Sequence, residues 1–201
     1  MIKIIIFDFD DTLYSDTNPI YWKKYCINTI KYFLLDRSDF SSILEKIKDK
    51  GFSDKQLIRF LVGYDIDEKK ILEYFENNSQ DIATFDNCNV VKDSVLKKLQ
   101  ENFNLYIVSN SLLTSVLKNM NHLKINKKYF NDIISNDNET KELAYKKILC
   151  KENVKPEEIL VVGNSYEHDI IPAEKLGMNG RIVKNANFEF KDFFDNELNL
   201  K

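Results

Sequence analysis

Four consecutive β-branched and aromatic residues, Ile4-Ile-Ile-Phe7, run directly into Asp8, Asp10 and Asp11. An apolar run of that length, closed by turn-forming residues, reads as a strand buried on both faces. Such strands belong to parallel sheets covered by helices. The carboxylates then fall at the carboxyl end of the strand, the edge where open α/β sheets bind ligands. Placing them there is unfavourable, because the charges repel and burial disfavours their ionised forms. A cation at that edge, serving chemistry, removes the conflict. The bland alternative is a turn with exposed carboxylates.

The rest of the chain alternates as such a sheet requires. Strands are expected over 105–108, 132–134, 159–162 and 181–183, and helices over 93–102, 113–121, 140–150 and 169–176, the last stopped by Gly177. The Phe-rich tail from Asn187 adds a further helix. Residues 19 to about 80 carry helical patterns throughout. Asp16, Thr17 or Asn18 caps the first, Gly51 stops the second, and Ser53 with Gln56 forms a capping box for the third. The predicted fold is therefore α/β, a Rossmann-like parallel sheet with helices on both faces, interrupted by an all-helical insert. The core comprises residues 1–14 and 86–201, and the insert residues 15–85.

Composition narrows the partners. With 201 residues, 43% hydrophobic and 30% charged, the chain reads as a globular protein rather than a disordered one. A net charge of −3, with Lys interleaved among Asp and Glu, offers no basic surface for a nucleic-acid polymer or an anionic membrane. Cys26, Cys88 and Cys150 are odd in number, widely spaced and without a CxxC pair, so reduced, mostly buried thiols are expected rather than disulfides or zinc. The apolar run after Lys3 is too short for a secretory signal or a membrane span, and a cytoplasmic location is expected. Oligomeric state is not legible.

Three predicted strand ends carry small polar or acidic residues: Asp8-Phe-Asp10-Asp-Thr12, Ser109-Asn110, and Gly163-Asn-Ser165 with Asp169 beyond. Parallel strands bring these ends to one edge. Carboxylates and carbonyls suit Mg²⁺, which keeps waters and binds phosphate oxygens. One carboxylate of the Asp8/Asp10 pair can attack phosphorus while the other handles the leaving-group proton. Ser109 and Asn110 can hydrogen-bond phosphate oxygens, and a nearby Lys can neutralise the developing charge. Tyr14, Tyr21, Trp22 and Tyr25 lie at spacings that suit core packing or a pocket wall. His168 reads as a loop or helix-start residue, and His122 as a surface residue.

These motifs resemble those of the haloacid dehalogenase-like superfamily. Asp8-Phe-Asp-Asp-Thr-Leu is similar to its first motif, DxDxT, and Ser109-Asn110 to its second. Lys141 in Glu-Thr-Lys-Glu is similar to the third, and Gly163-Asn-Ser-Tyr-Glu-His-Asp169 to the fourth, usually GDxxxxD. The resemblance implies a nucleophile at Asp8 and a general acid at Asp10, which then activates water. It implies phosphate-binding and loop-ordering groups at Thr12 and Ser109, a residue beside the phosphate at Asn110, and a charge-neutralising Lys141. A Mg²⁺ site is implied from Asp8, the main-chain carbonyl of Asp10, Asn164 and Asp169. Residues from about 15 to 85 match a mobile helical cap that closes over substrate and excludes water. Asn164 departs from the usual Asp, offering a carbonyl oxygen but one negative charge fewer. Lys141 lacks the proline that often follows it. Lys146 and Lys147 are alternatives for that role, on a predicted helix where solvated positions suit them better.

Within the superfamily, Asp10 points to hydrolysis of phosphomonoesters through an aspartyl phosphate, because an alkoxide needs a proton on departure. The expected partner is a small phosphorylated metabolite, such as a sugar phosphate, phosphoglycolate or a nucleoside monophosphate. Two alternatives stand beside this. One is a phosphotransferase or sugar-phosphate mutase using the same intermediate. The other is a catalytically weak binding protein on the same fold.

Overall fold

The computed structural model describes residues 1–15, 19–47, 52, 54–78, 88–135 and 140–183, with backbone only for 19–22. The chain divides into two units, Met1–Thr17 with Asn87–Lys201, and Asn18–Asp86.

The first unit opens with β1 (Ile4–Phe7), whose four side chains are fully buried. The chain passes through β2 (Tyr14–Ser15) into the second unit and returns through β3 (Asn89–Val90), the two forming a short antiparallel pair. That pair was not expected from sequence, since two residues show no periodicity. Within the second unit, α1 (Pro19–Leu34), α2 (Phe40–Ile47), α3 (Asp54–Val62) and α4 (Glu68–Asn78) follow in order. Ile30, Leu34, Ile43, Leu57, Leu61 and Ile71 are among its buried residues, and Tyr25 stacks on Phe75 at 5.9 Å. Burial pushes the Cys26 thiol up to about 12, the thiol of an unreactive core residue.

The first unit resumes with α5 (Asp93–Gln100), β4 (Asn104–Ser109), α6 (Leu113–His122), β5 (Asp132–Ser135), α7 (Lys141–Glu152), β6 (Ile159–Gly163), α8 (Ile171–Glu174) and β7 (Asn179–Ile182). The five-stranded sheet has the order β5-β4-β1-β6-β7, with every neighbour parallel. The fold is thus α/β and Rossmann-like. Ile4 and Ile6 share one core face with Tyr106, Val108, Ala144, Tyr145, Ile148 and Val161. Alternation sends Phe7 to the other face, where its ring meets Phe130 edge-on at 6.5 Å. Burying each such side chain contributes about 1.5–3 kcal/mol, so β1 is fixed in the middle of the sheet from both faces.

Three expectations need adjustment. The last core helix does not begin at Asp169: residues Tyr166–Ile170 form a π-helical turn that leads into the short α8. The wider turn starts where Ser165 Oγ accepts the His168 amide at 3.2 Å. Gly177 does end the segment, in the left-handed region at φ 78°, with its amide donating to the Glu174 carbonyl. Second, β7 spans Asn179–Ile182, earlier than 181–183. Third, Cys150 is exposed rather than buried. The tail from Asn187, the caps at Asp16 to Asn18 and at Ser53, the stop at Gly51, and the side chains of Tyr21 and Trp22 lie outside the described residues. No described helix is long and apolar enough to cross a membrane.

Candidate active site

The sheet order places β1 between β4 and β6, so the ends carrying Asp8, Ser109 and Gly163 are neighbours. Pairing continues one residue past β1, with the Asp8 amide donating to the Val162 carbonyl at 2.9 Å. The chain then turns sharply. The Thr12 and Leu13 amides donate to the Phe9 carbonyl, and Asp11 takes a left-handed φ of 55°. Asp tolerates that conformation better than most residues. The turn leaves Asp11 exposed while Asp8 and Thr12 are buried.

Asp8 meets Lys141 and Asp169. Lys141 Nζ lies 2.5 Å from Asp8 Oδ1 and 2.5 Å from Asp169 Oδ1. These three side chains are 9%, 4% and 1% exposed, Lys141 being the middle value. Lys141 is the first residue of α7, capped by Thr140, whose Oγ1 accepts the Leu143 amide at 3.4 Å. A cation at a helix N-terminus opposes the helix dipole, so this lysine does not serve the helix. Its side chain reaches instead from the first turn of α7 to the two carboxylates. Burial alone would push the Lys141 ammonium down, but Asp8 and Asp169 outweigh it and hold the group above its ordinary value. Burial drives the Asp8 carboxyl up to about 7, against the pull of Lys141 and with the push of Asp169 and Asp10. Thr12 Oγ1 donates to Asp8 Oδ2 at 3.3 Å.

Asp169 is held by more than Lys141. The Ser165 amide donates to its Oδ2 at 2.9 Å. Its carboxylate also lies against Gly163, where an added Cβ would come within 2.3 Å of Oδ2. Only glycine admits that approach.

Asp10 is placed differently. It is half-buried, and Tyr14 Oη donates to its Oδ1 at 2.6 Å while Ser111 Oγ donates to its Oδ2 at 2.6 Å. Ser109 Oγ stands 3.5 Å from the same Oδ2, at the limit of a hydrogen bond, and accepts the Ser111 amide at 3.0 Å. Ser111 and the hydroxyl role of Tyr14 were missed in the sequence. The repeat Ser109-Asn-Ser111 was the available signal, since a turn after β4 can present both hydroxyls. Asn110 is half-buried beside them, and Asn164 follows β6 at an exposed position. His168 and His122 are exposed, and Lys146 pairs with Glu142 at 2.9 Å on the surface.

The donor set suits a hard cation. Asp8 Oδ1 is engaged by Lys141, whereas Oδ2 receives only the long Thr12 contact among the described hydrogen bonds. Among the described residues no three or more His, Cys, Asp or Glu side chains form a metal cage. Mg²⁺ does not need one, since it is usually held by one or two carboxylates with waters and substrate phosphate. In their ionised forms Asp8, Asp169 and Asp10 set three negative charges against one ammonium, an excess that a divalent cation would offset.

A family model described as haloacid dehalogenase-like hydrolase matches residues 5–183. Comparison with curated proteins found no match. Among solved structures, the chain is similar to a predicted phosphoglycolate phosphatase from Haemophilus somnus 129PT, with TM-score 0.60, 15% identity and coverage of 93% of this chain and 88% of that one. It is similar to a 2-haloacid dehalogenase from Pseudomonas syringae pv. tomato DC3000, with TM-score 0.55, 16% identity and coverage of 90% and 85%. It is also similar to a hydrolase from Bacillus subtilis bound to magnesium, for which interdomain movement is described, with TM-score 0.56, 15% identity and coverage of 96% and 97%.

Proposed function

Because the chain belongs to the haloacid dehalogenase-like hydrolase family, we propose that it hydrolyses small phosphomonoesters through a phosphorylated Asp8. One observation carries the choice of phosphatase over dehalogenase: a second carboxylate, Asp10, is held two residues beyond Asp8 by Tyr14 and Ser111. A departing halide needs no proton, whereas a departing alkoxide does, and Asp10 is the group to supply it.

In the first half-reaction an Asp8 oxygen bonds to phosphorus, the bond from phosphorus to the leaving oxygen breaks, and Asp10 protonates that oxygen. In the second, water attacks phosphorus, its proton passes to Asp10, and Asp8 is released as a carboxylate. Lys141 keeps Asp8 oriented and neutralises charge on the transferring group. Thr12, Ser109 and Asn110 bind phosphate oxygens. Mg²⁺, held by Asp8, the Asp10 main-chain carbonyl, Asn164 and Asp169, would offset the phosphate charge. The helical unit is assigned the selection of substrate, a small phosphorylated metabolite such as a sugar phosphate, phosphoglycolate or a nucleoside monophosphate, and the setting is the cytoplasm.

The test is a panel of phosphorylated metabolites with Mg²⁺, scored for free phosphate and for isomerised product. Phosphate release that chelator abolishes and Mg²⁺ restores is expected. Isomerised sugar phosphate would instead mark a phosphotransferase. Silence across the panel would mark a binding protein.

A further inference from the structure

Both oxygens of the Asp10 side chain are held by short contacts from hydroxyl groups. We propose that Tyr14 and Ser111 are positioning residues that hold Asp10 for the water-activating half of the reaction, a role that rests on the phosphatase reading above. Each carboxylate oxygen accepts a short hydrogen bond, Oδ1 from Tyr14 and Oδ2 from Ser111, both at 2.6 Å. Contacts on both oxygens leave the Asp10 carboxyl group one plane, and in the second half-reaction that plane has to face the attacking water.

Both hydroxyls stand on fixed supports. The Tyr14 side chain is buried, its ring lies 5.3 Å from that of Phe9, and its backbone is paired with Val90. The Ser111 amide donates to Ser109 Oγ at 3.0 Å, and its carbonyl accepts from Ser135 Oγ at 2.6 Å. Two donors from separate segments therefore fix the plane of one carboxylate. During breakdown of the phosphoenzyme, the water oxygen bonds to phosphorus and the bond from phosphorus to Asp8 breaks. The water proton moves to Asp10. A carboxylate whose plane is set in advance meets that proton without first losing rotational freedom.

The experiment uses p-nitrophenyl phosphate, whose leaving group departs without a proton, so kcat/KM reports formation of the phosphoenzyme and kcat includes its breakdown. Tyr14→Phe keeps the ring and removes one donor. The expected result is kcat lowered about tenfold, KM lowered in proportion and kcat/KM within about twofold of wild type. Phosphoenzyme should accumulate in acid-quenched samples weighed by intact mass. Ser111→Ala should shift the same quantities in the same direction, and Ser111→Thr, which restores a hydroxyl, should recover kcat. Equal falls in kcat and kcat/KM without phosphoenzyme, or variants indistinguishable from wild type, would overturn the positioning role alone. A wild-type protein that releases no phosphate would overturn the phosphatase reading and this role with it.

Discussion

Asp8 and Asp10 stand two residues apart and live in different surroundings. Asp8 is buried and shares Lys141 with Asp169, so its short contact is with a charged group. Asp10 is half-buried and its short contacts are hydroxyls, Tyr14 and Ser111. An ammonium between two carboxylates sets charge and position together. Neutral hydroxyls set orientation without placing a charge beside the group. In the proposed reaction, environment rather than residue type separates the nucleophile from the proton carrier in one short loop.

The contrast breaks most completely at the proposed nucleophile. Asp8→Asn should lower phosphate release by a factor on the order of 10⁴ or more, with no phosphoenzyme in quenched samples. Wild-type turnover in that variant would end the assignment of Asp8. Lys141→Met tests the charged side through stability. It leaves Asp8 and Asp169 buried without their cation and should lower unfolding free energy by about 3–5 kcal/mol in urea titration at neutral pH. An unchanged midpoint would mean that the ion pair is not formed in solution. Gly163→Ala acts one step further out. Its methyl group must displace the Asp169 carboxylate, a loss of about 1–3 kcal/mol, with turnover falling as Lys141 loses its anchor.

A pH series sharpens the comparison. Folding raises the Asp8 carboxyl from 3.8 to about 7, so the folded state binds the proton more tightly than the unfolded state. The stability of the metal-free protein should therefore fall as pH rises from about 4 through about 7. Asp8→Asn should flatten that slope by an amount on the order of 1–3 kcal/mol, read from urea midpoints in chelator. The smallest effect is expected at the third carboxylate. Asp11 is exposed, and its left-handed φ of 55° is one that Asn also adopts readily. Asp11→Asn should retain activity within about twofold, since most surface changes move stability by no more than about 0.5 kcal/mol. A large loss there would place Asp11 in the machinery.

Much of this site was legible before any coordinates. Ile4 to Phe7 read as a buried strand, and strand ends in a parallel sheet share an edge, so Asp8, Ser109 and the segment from Gly163 to Asp169 were expected together. Lys141 was identified through its likeness to a known motif, and its burial at the first turn of α7 accounts for the choice over Lys146, which pairs with Glu142 on the surface. Ser111 escaped notice because nothing local marks a serine that reaches a residue 101 positions away. Tyr14 was read as an aromatic ring, core or pocket, because a hydroxyl's partner is not written in its spacing. The π-helical turn at Tyr166 escaped for a related reason: helical periodicity does not reveal where the first turn widens.

What the sequence determined by itself is the layering: which runs form the core strands, that their sheet is parallel, and the edge to which the acidic residues are delivered. Hydrophobic periodicity is a local property, and burial acts on it directly. What only the tertiary structure decided is the company each carboxylate keeps. Lys141 stands between Asp8 and Asp169, Gly163 yields space to Asp169, and two hydroxyls from distant segments take hold of Asp10. Those contacts depend on side-chain directions at the ends of three neighbouring strands, and a hydrogen bond exists only where the packed sheet brings donor and acceptor within about 3 Å.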